Sequence, residues 1–420
     1  MTDPHAAIAA VFRIEFPRLV AGLARLTRDV GRAEELAQDA LVVALERWPI
    51  DGVPDNPGAW LMTTAKRRAF DGMRHARIAD AKHVQLAHDL DATSRDVAGA
   101  LADALDDDVG DDLLRLVFTA CHPVLPPEAR VALTLRLVGG LTTSEIARAF
   151  VVPEPTIGQR IFRAKRTLAE AHVPFEVPRA GERAERLASV LEVIYLVFNE
   201  GHVATTGASW MRPELCNDAL RIARVLAGLV PDEPEVHGLV ALLELSASRL
   251  AARVARDGTP VLLADQDRSR WDRLLVRRGL AALARAEELV AARGGSAGPY
   301  QLQAMIAAHH ARAATAEATE WPRIAALYTL LARCAPSPIV DLNLAVAVGM
   351  AFGPGAGLQL VDALVADGAL ATYHLLPAVR GDLLAKLGRG DEARAEFERA
   401  AELTRNERER AVLLARARDS

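Results

Sequence analysis

The sequence has few cysteines and few aromatic residues, and each shortage excludes a class of protein. Its three cysteines form no closely spaced pair, which argues against a disulfide-bonded secreted domain and favours a reduced, cytoplasmic setting. Aromatic residues make up 5% of the 420 residues, whereas alanine and leucine abound, so helix is favoured over sheet. No basic segment followed by an apolar core opens the sequence, so we expect no signal peptide.

Catalytic motifs are equally scarce. Neither a phosphate-binding loop nor an HExxH zinc motif occurs, so the sequence predicts no enzyme and no cofactor. His309 and His310 resemble metal ligands at first sight, but adjacent histidines project in different directions from a helix, and no carboxylate follows four positions later. We therefore expect no metal site. An enzyme is the rival class of function, which an ATPase or ligand-binding assay tests.

Charge and turn signals divide the chain into four parts, and the absence of any alternating strand pattern predicts an all-α fold. The parts are a helical domain with a basic end (residues 6–80), an acidic linker (81–112), a compact helical domain (113–175) and a long helical extension (185–420). Nine aspartates against a single arginine in residues 89–112 indicate a solvated tether, with the covering of a basic face as the alternative. Residues 342–361 carry no charge, but glycines and a proline interrupt them, so two short helices are predicted rather than a membrane span.

Residues 125–168 have the pattern of a helix-turn-helix. Thr142 and Glu145 supply the cap of a short helix, and Pro155 stands in the first turn of the helix that follows. The outer face of this second helix is polar and basic, which suits DNA phosphates and guanine edges. The candidate DNA-binding residues are Pro155, Thr156, Gln159, Arg160, Arg163, Lys165 and Arg166. A solvated basic helix on an ordinary bundle is the alternative.

This segment resembles region 4 of the extracytoplasmic-function sigma factors of the sigma-70 family, which binds the −35 promoter element. The resemblance rests on the family's LPP, GLS-x-x-EIA and T-V-K-S-R-L-x-R-A-R patterns. They match residues 125–127, 140–142, 145–147, Thr156, Arg160, 163–165 and Leu168. Gly158 departs from the pattern, because the family usually has a lysine there, and this removes one phosphate contact.

Residues 6–80 are similar to region 2 of the same family. Residues 33–39 match the family's DAEDLVQE helix, which docks on the clamp of core RNA polymerase. The resemblance assigns polymerase binding to Glu34, Glu35, Gln38 and Asp39. A solvated acidic face is the alternative for these residues.

Residues 56–77 are similar to the stretch of region 2 that recognises the −10 element and holds the melted strand. The cations in this stretch form a basic stripe that suits a single-stranded backbone. The candidate residues are Trp60, Lys66, Arg67, Arg68, Arg74 and Arg77. Trp60 is either a stacking platform for a base or a buried core residue.

The extension has a degenerate tetratricopeptide-like spacing. Small residues stand at Gly381, Ala393 and Ala400, and an aromatic residue stands at Phe397, which is the spacing of that repeat. Small residues at these positions let paired helices approach closely. Two further segments, residues 264–272 and 298–310, contain unusual polar and aromatic side chains, which form either a structural network or a binding patch. The candidate regulatory residues in them are Asp265, Asp267, Arg268, Trp271 and Tyr300.

The whole chain resembles the group of sigma factors that carries such a C-terminal extension. That group lacks a dedicated anti-sigma factor, so the resemblance implies that the extension modulates activity in cis. The expected partners are core RNA polymerase, duplex −35 DNA and melted −10 DNA, with no membrane, and an unknown peptide or protein partner of the extension stays open. The remaining rival is a scaffold, in which the repeats do the work and the N-terminal half is vestigial.

Overall fold

The computed structural model describes residues 4–81, 109–150, 152–203, 211–255, 259–368 and 370–420, and this part of the chain is predominantly helical. It contains eighteen α-helices and, apart from one isolated bridge between Val254 and Pro260, no β pairing. The predicted all-α class is therefore confirmed. None of the described helices is long and apolar enough to cross a membrane. The chain divides into two compact units, Met1–Ile194 and Tyr195–Ser420.

The first unit is built around its first helix, which packs against each of the three helices that follow it. Its helices are α1 (Pro4–Thr27), α2 (Val30–Asp51), α3 (Pro57–Ala81), α4 (Val109–Ala120), α5 (Pro127–Leu137), α6 (Thr143–Phe150) and α7 (Glu154–Glu170), and α8 (Ala180–His202) begins in it. On α2, Leu36 and Ala40 are buried, whereas Leu45 is exposed. Ala44 takes the inward position, because it lies one helical turn after Ala40.

The linker is shorter than predicted, because α4 begins at Val109. Asp112 was assigned to the solvated tether, yet it is 1% exposed. Its carboxylate lies 3.6 Å from Arg25 of α1 and also accepts from Arg115. A helix N-terminus favours a negative charge in its first turn, which explains why this aspartate belongs to α4. Residues 82–108, the body of the predicted linker, lie outside the described residues.

The predicted helix-turn-helix is present as α5, α6 and α7. The hydroxyl of Thr142 accepts from the Glu145 amide at 3.1 Å, and the Glu145 carboxylate accepts from the Thr142 amide at 2.7 Å. This reciprocal pair is a capping box, and it sets where α6 begins. Pro155 stands in the first turn of α7 as expected.

The second unit is a succession of helices in which each packs against the next. They are α9 (Pro213–Leu229), α10 (Pro234–Ala247), α11 (Arg273–Arg293), α12 (Pro299–Arg312), α13 (Trp321–Cys334), α14 (Pro338–Phe352), α15 (Pro354–Asp367), α16 (Leu375–Lys386), α17 (Gly390–Leu403) and α18 (Glu407–Asp419). A Cβ at Gly381 would lie 3.0 Å from the Phe397 ring, so this glycine permits close packing of α16 and α17. Consecutive helices burying each other's apolar faces is the packing expected of helical repeats. The uncharged residues 342–361 fall in α14 and α15, which confirms two helices.

Candidate nucleic-acid interface

α7 presents the face that the sequence predicts for DNA. Gln159, Arg163 and Arg166 are exposed, whereas Ile157 and Ile161 are buried against the rest of the helix-turn-helix. Pro155 and Thr156 are also exposed, and Arg160 is half-buried. Arg166 also forms a contact within the helix, in which its Nε donates to Glu170 at 2.8 Å. The outer face of α7 therefore offers mainly unshielded cationic and amide groups.

Phe162 is a candidate contact residue that the sequence reasoning missed. Its side chain is 65% exposed on α7, three positions after Gln159 and four before Arg166. Residues at these spacings share one face of a helix. Helical periodicity around the buried Ile161 places Phe162 on the outer face. This periodicity is the sequence signal that could have identified it. An apolar ring there suits the methyl group of thymine.

Lys165 and Glu34 were predicted to bind different partners, but the structure brings them together. Glu34 of α2 has a side chain only 3% exposed, and its Oε2 forms an ion pair with Lys165 Nζ. The other carboxylate oxygen accepts from Arg136 Nε of α5 at 2.6 Å. The expectation of an exposed acidic strip is thus wrong for Glu34, since α5 and α7 cover it. Lys165 points to α2 rather than to the outer face of α7.

Arg136 is the second residue that the sequence reasoning missed. Besides Glu34, its guanidinium donates to the carbonyl of Leu141 at 2.9 Å and lies 5.4 Å from the centroid of the Phe16 ring. It joins α1, α2 and the turn before α6. Arg136 and Glu34 are 102 positions apart, so no local pattern marks the contact.

The remaining acidic residues on α2 pair with neighbouring cations. Glu35 lies 3.0 Å from Arg32, and Asp39 lies 3.1 Å from Arg68 of α3. These four side chains are all substantially exposed, so both pairs are open to solvent. Gln38 donates to Glu34 at 2.8 Å and supports the buried carboxylate.

The basic stripe on α3 is less continuous than predicted. Arg67 and Arg68 are exposed, but Lys66 is buried together with its neighbour Ala65. Trp60 is half-buried and packs edge-to-face on Trp48 at 5.3 Å between ring centroids. The candidates Arg74 and Arg77 lie on the α3 backbone, and their side chains are outside the described residues.

The segment before α11 forms a polar network. Arg268 donates to the carbonyls of His310 and Ala313 at 2.6 and 2.7 Å, and its guanidinium lies over the buried ring of Trp271 at 5.0 Å. Asp267 accepts from the amide and the hydroxyl of Ser269 at 2.9 and 2.6 Å. Asp265 is exposed. These contacts favour the structural interpretation for Arg268 and Asp267.

Tyr300 and the adjacent histidines have separate structural partners. The Tyr300 amide donates to Glu235 at 2.9 Å, and its ring packs edge-to-face on Tyr195 at 5.5 Å. Burial raises the pKa of Glu235, although the amides it accepts from act in the opposite direction. His309 lies 3.0 Å from Glu320, and His310 packs on a tryptophan ring. The described residues contain no group of side chains that could hold a metal ion.

Comparison with known proteins identifies three segments of the chain. The family model of Sigma-70 region 2 matches residues 12–78, and that of Sigma-70, region 4 matches residues 115–168. A family of unknown function, DUF6596, matches residues 186–287. No solved structure matches the chain.

Relatives cover both the whole chain and its N-terminal part. An uncharacterized protein of Rhizobium meliloti is 44% identical over 399 residues, which is 94% of this chain and 92% of that protein. The ECF RNA polymerase sigma factor SigK of Mycobacterium bovis is 32% identical over 39% of this chain and 84% of SigK. The probable ECF RNA polymerase sigma factor SigI of Mycobacterium tuberculosis is 29% identical over 43% of this chain and 60% of SigI. The chain therefore belongs to the extracytoplasmic-function RNA polymerase sigma factors of the sigma-70 family, and it carries a helical C-terminal extension.

Proposed function

We propose that this sigma factor directs core RNA polymerase to promoters by reading the duplex −35 element with α7 and holding the melted −10 element with α3. The observation that carries the proposal is the outer face of α7, where Gln159, Arg163 and Arg166 are exposed at helical spacing. A helix with such a face fits the major groove. The working domains are residues 6–80, 113–175 and 185–420.

The side chains of α7 divide into two kinds of contact. Arginine forks at 160, 163 and 166 donate to guanine edges or phosphate oxygens, and the Gln159 amide pairs with an adenine edge. Phe162 adds an apolar contact with a thymine methyl group. Lys165 serves the phosphate backbone once it leaves Glu34.

Core polymerase replaces the intramolecular partners of α2. Glu35 and Asp39 are paired with Arg32 and Arg68 in solvent-exposed ion pairs, which contribute only about 0–1 kcal/mol each. Basic groups on the polymerase clamp exchange with these arginines at little cost. Release of Asp39 also frees Arg68 to bind the backbone of the melted strand.

The described first unit is a resting form of the sigma factor. Lys165 cannot neutralise a DNA phosphate, and Glu34 cannot meet polymerase, while the two are paired with each other. Binding of both partners therefore requires α2 to separate from α5 and α7. Polymerase and promoter then supply the cation and the anion that replace this pair.

The C-terminal extension modulates this activity in cis, so no dedicated anti-sigma factor is needed. Support comes from the Rhizobium meliloti relative, which is similar along nearly the whole chain and so includes the extension. The protein acts in the cytoplasm, where core polymerase is found. A scaffold whose N-terminal half is vestigial would have no use for the exposed basic face of α7.

Promoter binding by full-length variants tests the role of α7. The Arg160→Ala/Arg163→Ala double variant should bind promoter DNA, together with core polymerase, at least about tenfold more weakly, because a good base contact contributes about 1–3 kcal/mol. Arg277→Ala, an exposed arginine on α11, is the matched control and should leave binding unchanged. Unaltered promoter occupancy in the double variant would exclude α7 from recognition.

A further inference from the structure

The extension supplies a helix whose first half belongs to the first unit. The region 4 family model ends at residue 168 and the DUF6596 model begins at residue 186, within α8, so this helix is part of the extension. Its N-terminal half nevertheless lies in the first compact unit, which ends at Ile194. The apolar side chains of this half are buried, namely Leu187, Val190, Leu191, Val193 and Ile194. The beginning of the extension is therefore packed into the first unit.

Polar side chains of α8 bind the end of α4. Arg186 Nη2 donates to the carbonyl of Phe118 at 2.9 Å, and the Ser189 hydroxyl donates to the carbonyl of Cys121 at 2.7 Å. Phe118 lies in the last turn of α4, and Cys121 directly follows the helix. The last carbonyls of a helix lack amide partners within it, and a cation near them is favourable. α8 therefore supplies donors that α4 needs at its C-terminus.

Arg130, near the beginning of α5, joins the same contact. Its Nη1 donates to the Ser189 hydroxyl at 2.5 Å and lies 3.0 Å from the carboxylate of Glu192. The Ser189 hydroxyl thus accepts from α5 while it donates to Cys121. Arg130 and Ser189 are each 8% exposed, and Cys121 is 1% exposed, so little water reaches these groups. A hydrogen bond that is lost there leaves a buried polar group unsatisfied, which is costly.

α5 connects this contact to the helix-turn-helix. Arg136, at the other end of α5, donates to the carbonyl of Leu141 just before α6 and to Glu34 of α2. α5 also packs on α7, and most of its side chains are buried. A closely packed interior transmits a displacement from one side chain to the next. A shift of α5 at Arg130 therefore changes how α6 and α7 are held.

The C-terminal half of α8 is bound within the second unit. The helix continues beyond Ile194 to His202. In this half the Tyr195 hydroxyl donates to Gln303 at 3.0 Å, and Glu200 forms an ion pair with Arg212. One helix thus has partners in both units. A rearrangement of the second unit that displaces α8 acts on the hydrogen bonds of its N-terminal half.

We infer that Arg130 and Ser189 are positioning residues for promoter recognition. Through them the N-terminal half of α8 holds α5, and with it α7, in the orientation that reads the −35 element. The extension thereby completes the DNA-binding domain, and its second unit has a route to α7 through α8 and α5. The inference rests on the proposed role of α7, whereas the contact between α8 and α5 does not, so the two are tested separately.

Amide hydrogen exchange on the full-length protein tests the contact without polymerase or DNA. Arg130→Met keeps an unbranched side chain but neither donates to Ser189 nor pairs with Glu192. Amides of α5 should exchange at least about fivefold faster than in the parent, because local opening becomes easier. Arg130→Lys keeps the charge and should restore part of the protection. Arg277→Met, on an exposed arginine of α11, is the control, and equal exchange of α5 in the two methionine variants overturns the proposal.

Promoter binding separates positioning from a merely structural role. Each full-length variant is combined with core polymerase, and its affinity is measured for the DNA upstream of its own gene and for the same DNA with a scrambled −35 segment. A smaller folded fraction weakens both affinities alike and keeps their ratio, whereas a misplaced α7 lowers the ratio. Arg130→Met should lower the ratio at least about fivefold, and Arg277→Met should keep it. If Arg130→Met fails to fold, Ser189→Ala carries the same test.

The two proposals fail in different ways. A parent protein that discriminates between the two DNAs, with an unchanged ratio in the Arg130 or Ser189 variant, overturns the positioning role alone. A parent that binds both DNAs equally overturns the proposed role of α7, and the positioning role with it.

Discussion

Substitution of Glu34 by glutamine is the sharpest perturbation of the resting form. The change keeps the size of the side chain and one oxygen acceptor for Arg136, but it removes the charge that holds Lys165. Loss of one partner of a buried ion pair costs about 3–5 kcal/mol. The side chains of Arg136 and Lys165 are 12% and 23% exposed and so keep some water, which reduces our expectation to about 2 kcal/mol.

A change of this size shifts the balance between closed and open forms by roughly 30-fold. Amide hydrogen exchange on the full-length protein measures the shift, since exchange in the covered parts of α2, α5 and α7 reports their separation. Binding of a −35 duplex without polymerase measures the same shift independently and should become tighter in Glu34→Gln. The control is Glu35→Gln, which removes an exposed carboxylate paired only with Arg32 among the described residues. If the two variants exchange and bind alike, Glu34 does not hold the first unit closed.

Three further substitutions test other parts of the account. Phe162→Ala should weaken binding to −35 sites that contain thymine by roughly 1 kcal/mol. The thermal unfolding midpoint should not change, because the ring is largely exposed. An equal loss of binding on every DNA sequence would exclude Phe162 from base recognition. Thr142→Ala should lower the free energy of unfolding by about 1 kcal/mol, measured by urea denaturation, through loss of the capping box, and Thr142→Ser should restore most of it. Phe397→Ala should lower the free energy of unfolding of the second unit by about 3–5 kcal/mol, measured by urea denaturation. The reason is that the ring is 1% exposed and packs against Gly381. A loss under about 1 kcal/mol would contradict the close packing of α16 and α17.

Local patterns predicted the helix-turn-helix well. The Thr142–Glu145 cap and the first-turn Pro155 lie within a few residues of the helices that they begin, so their effect depends little on the rest of the fold. The prediction of two helices in the uncharged segment 342–361 also rested on a local signal. Gly353 lies between the two helices and has φ +101°, a conformation that favours glycine.

Long-range contacts were beyond the sequence reasoning. Glu34 looks like an exposed acid on α2, and only the approach of Arg136 and Lys165, more than 100 positions away, buries it. Lys66 stands within a run of cations, yet the rotation of α3 against the core turns it inward while Arg67 and Arg68 face solvent. The acidic linker was predicted to extend to residue 112, which is too far. Asp112 is held in the fold by its ion pair with Arg25 of α1, and this long-range contact is not visible in the sequence.

In vitro transcription with purified core RNA polymerase tests the central claim most directly. The template is the DNA upstream of the gene for this protein and its neighbours, with and without the full-length protein. The account predicts a defined transcript that appears only with the protein and is lost with the Arg160→Ala/Arg163→Ala variant. A protein that neither yields such a transcript nor co-elutes with core polymerase would contradict the account and favour the scaffold.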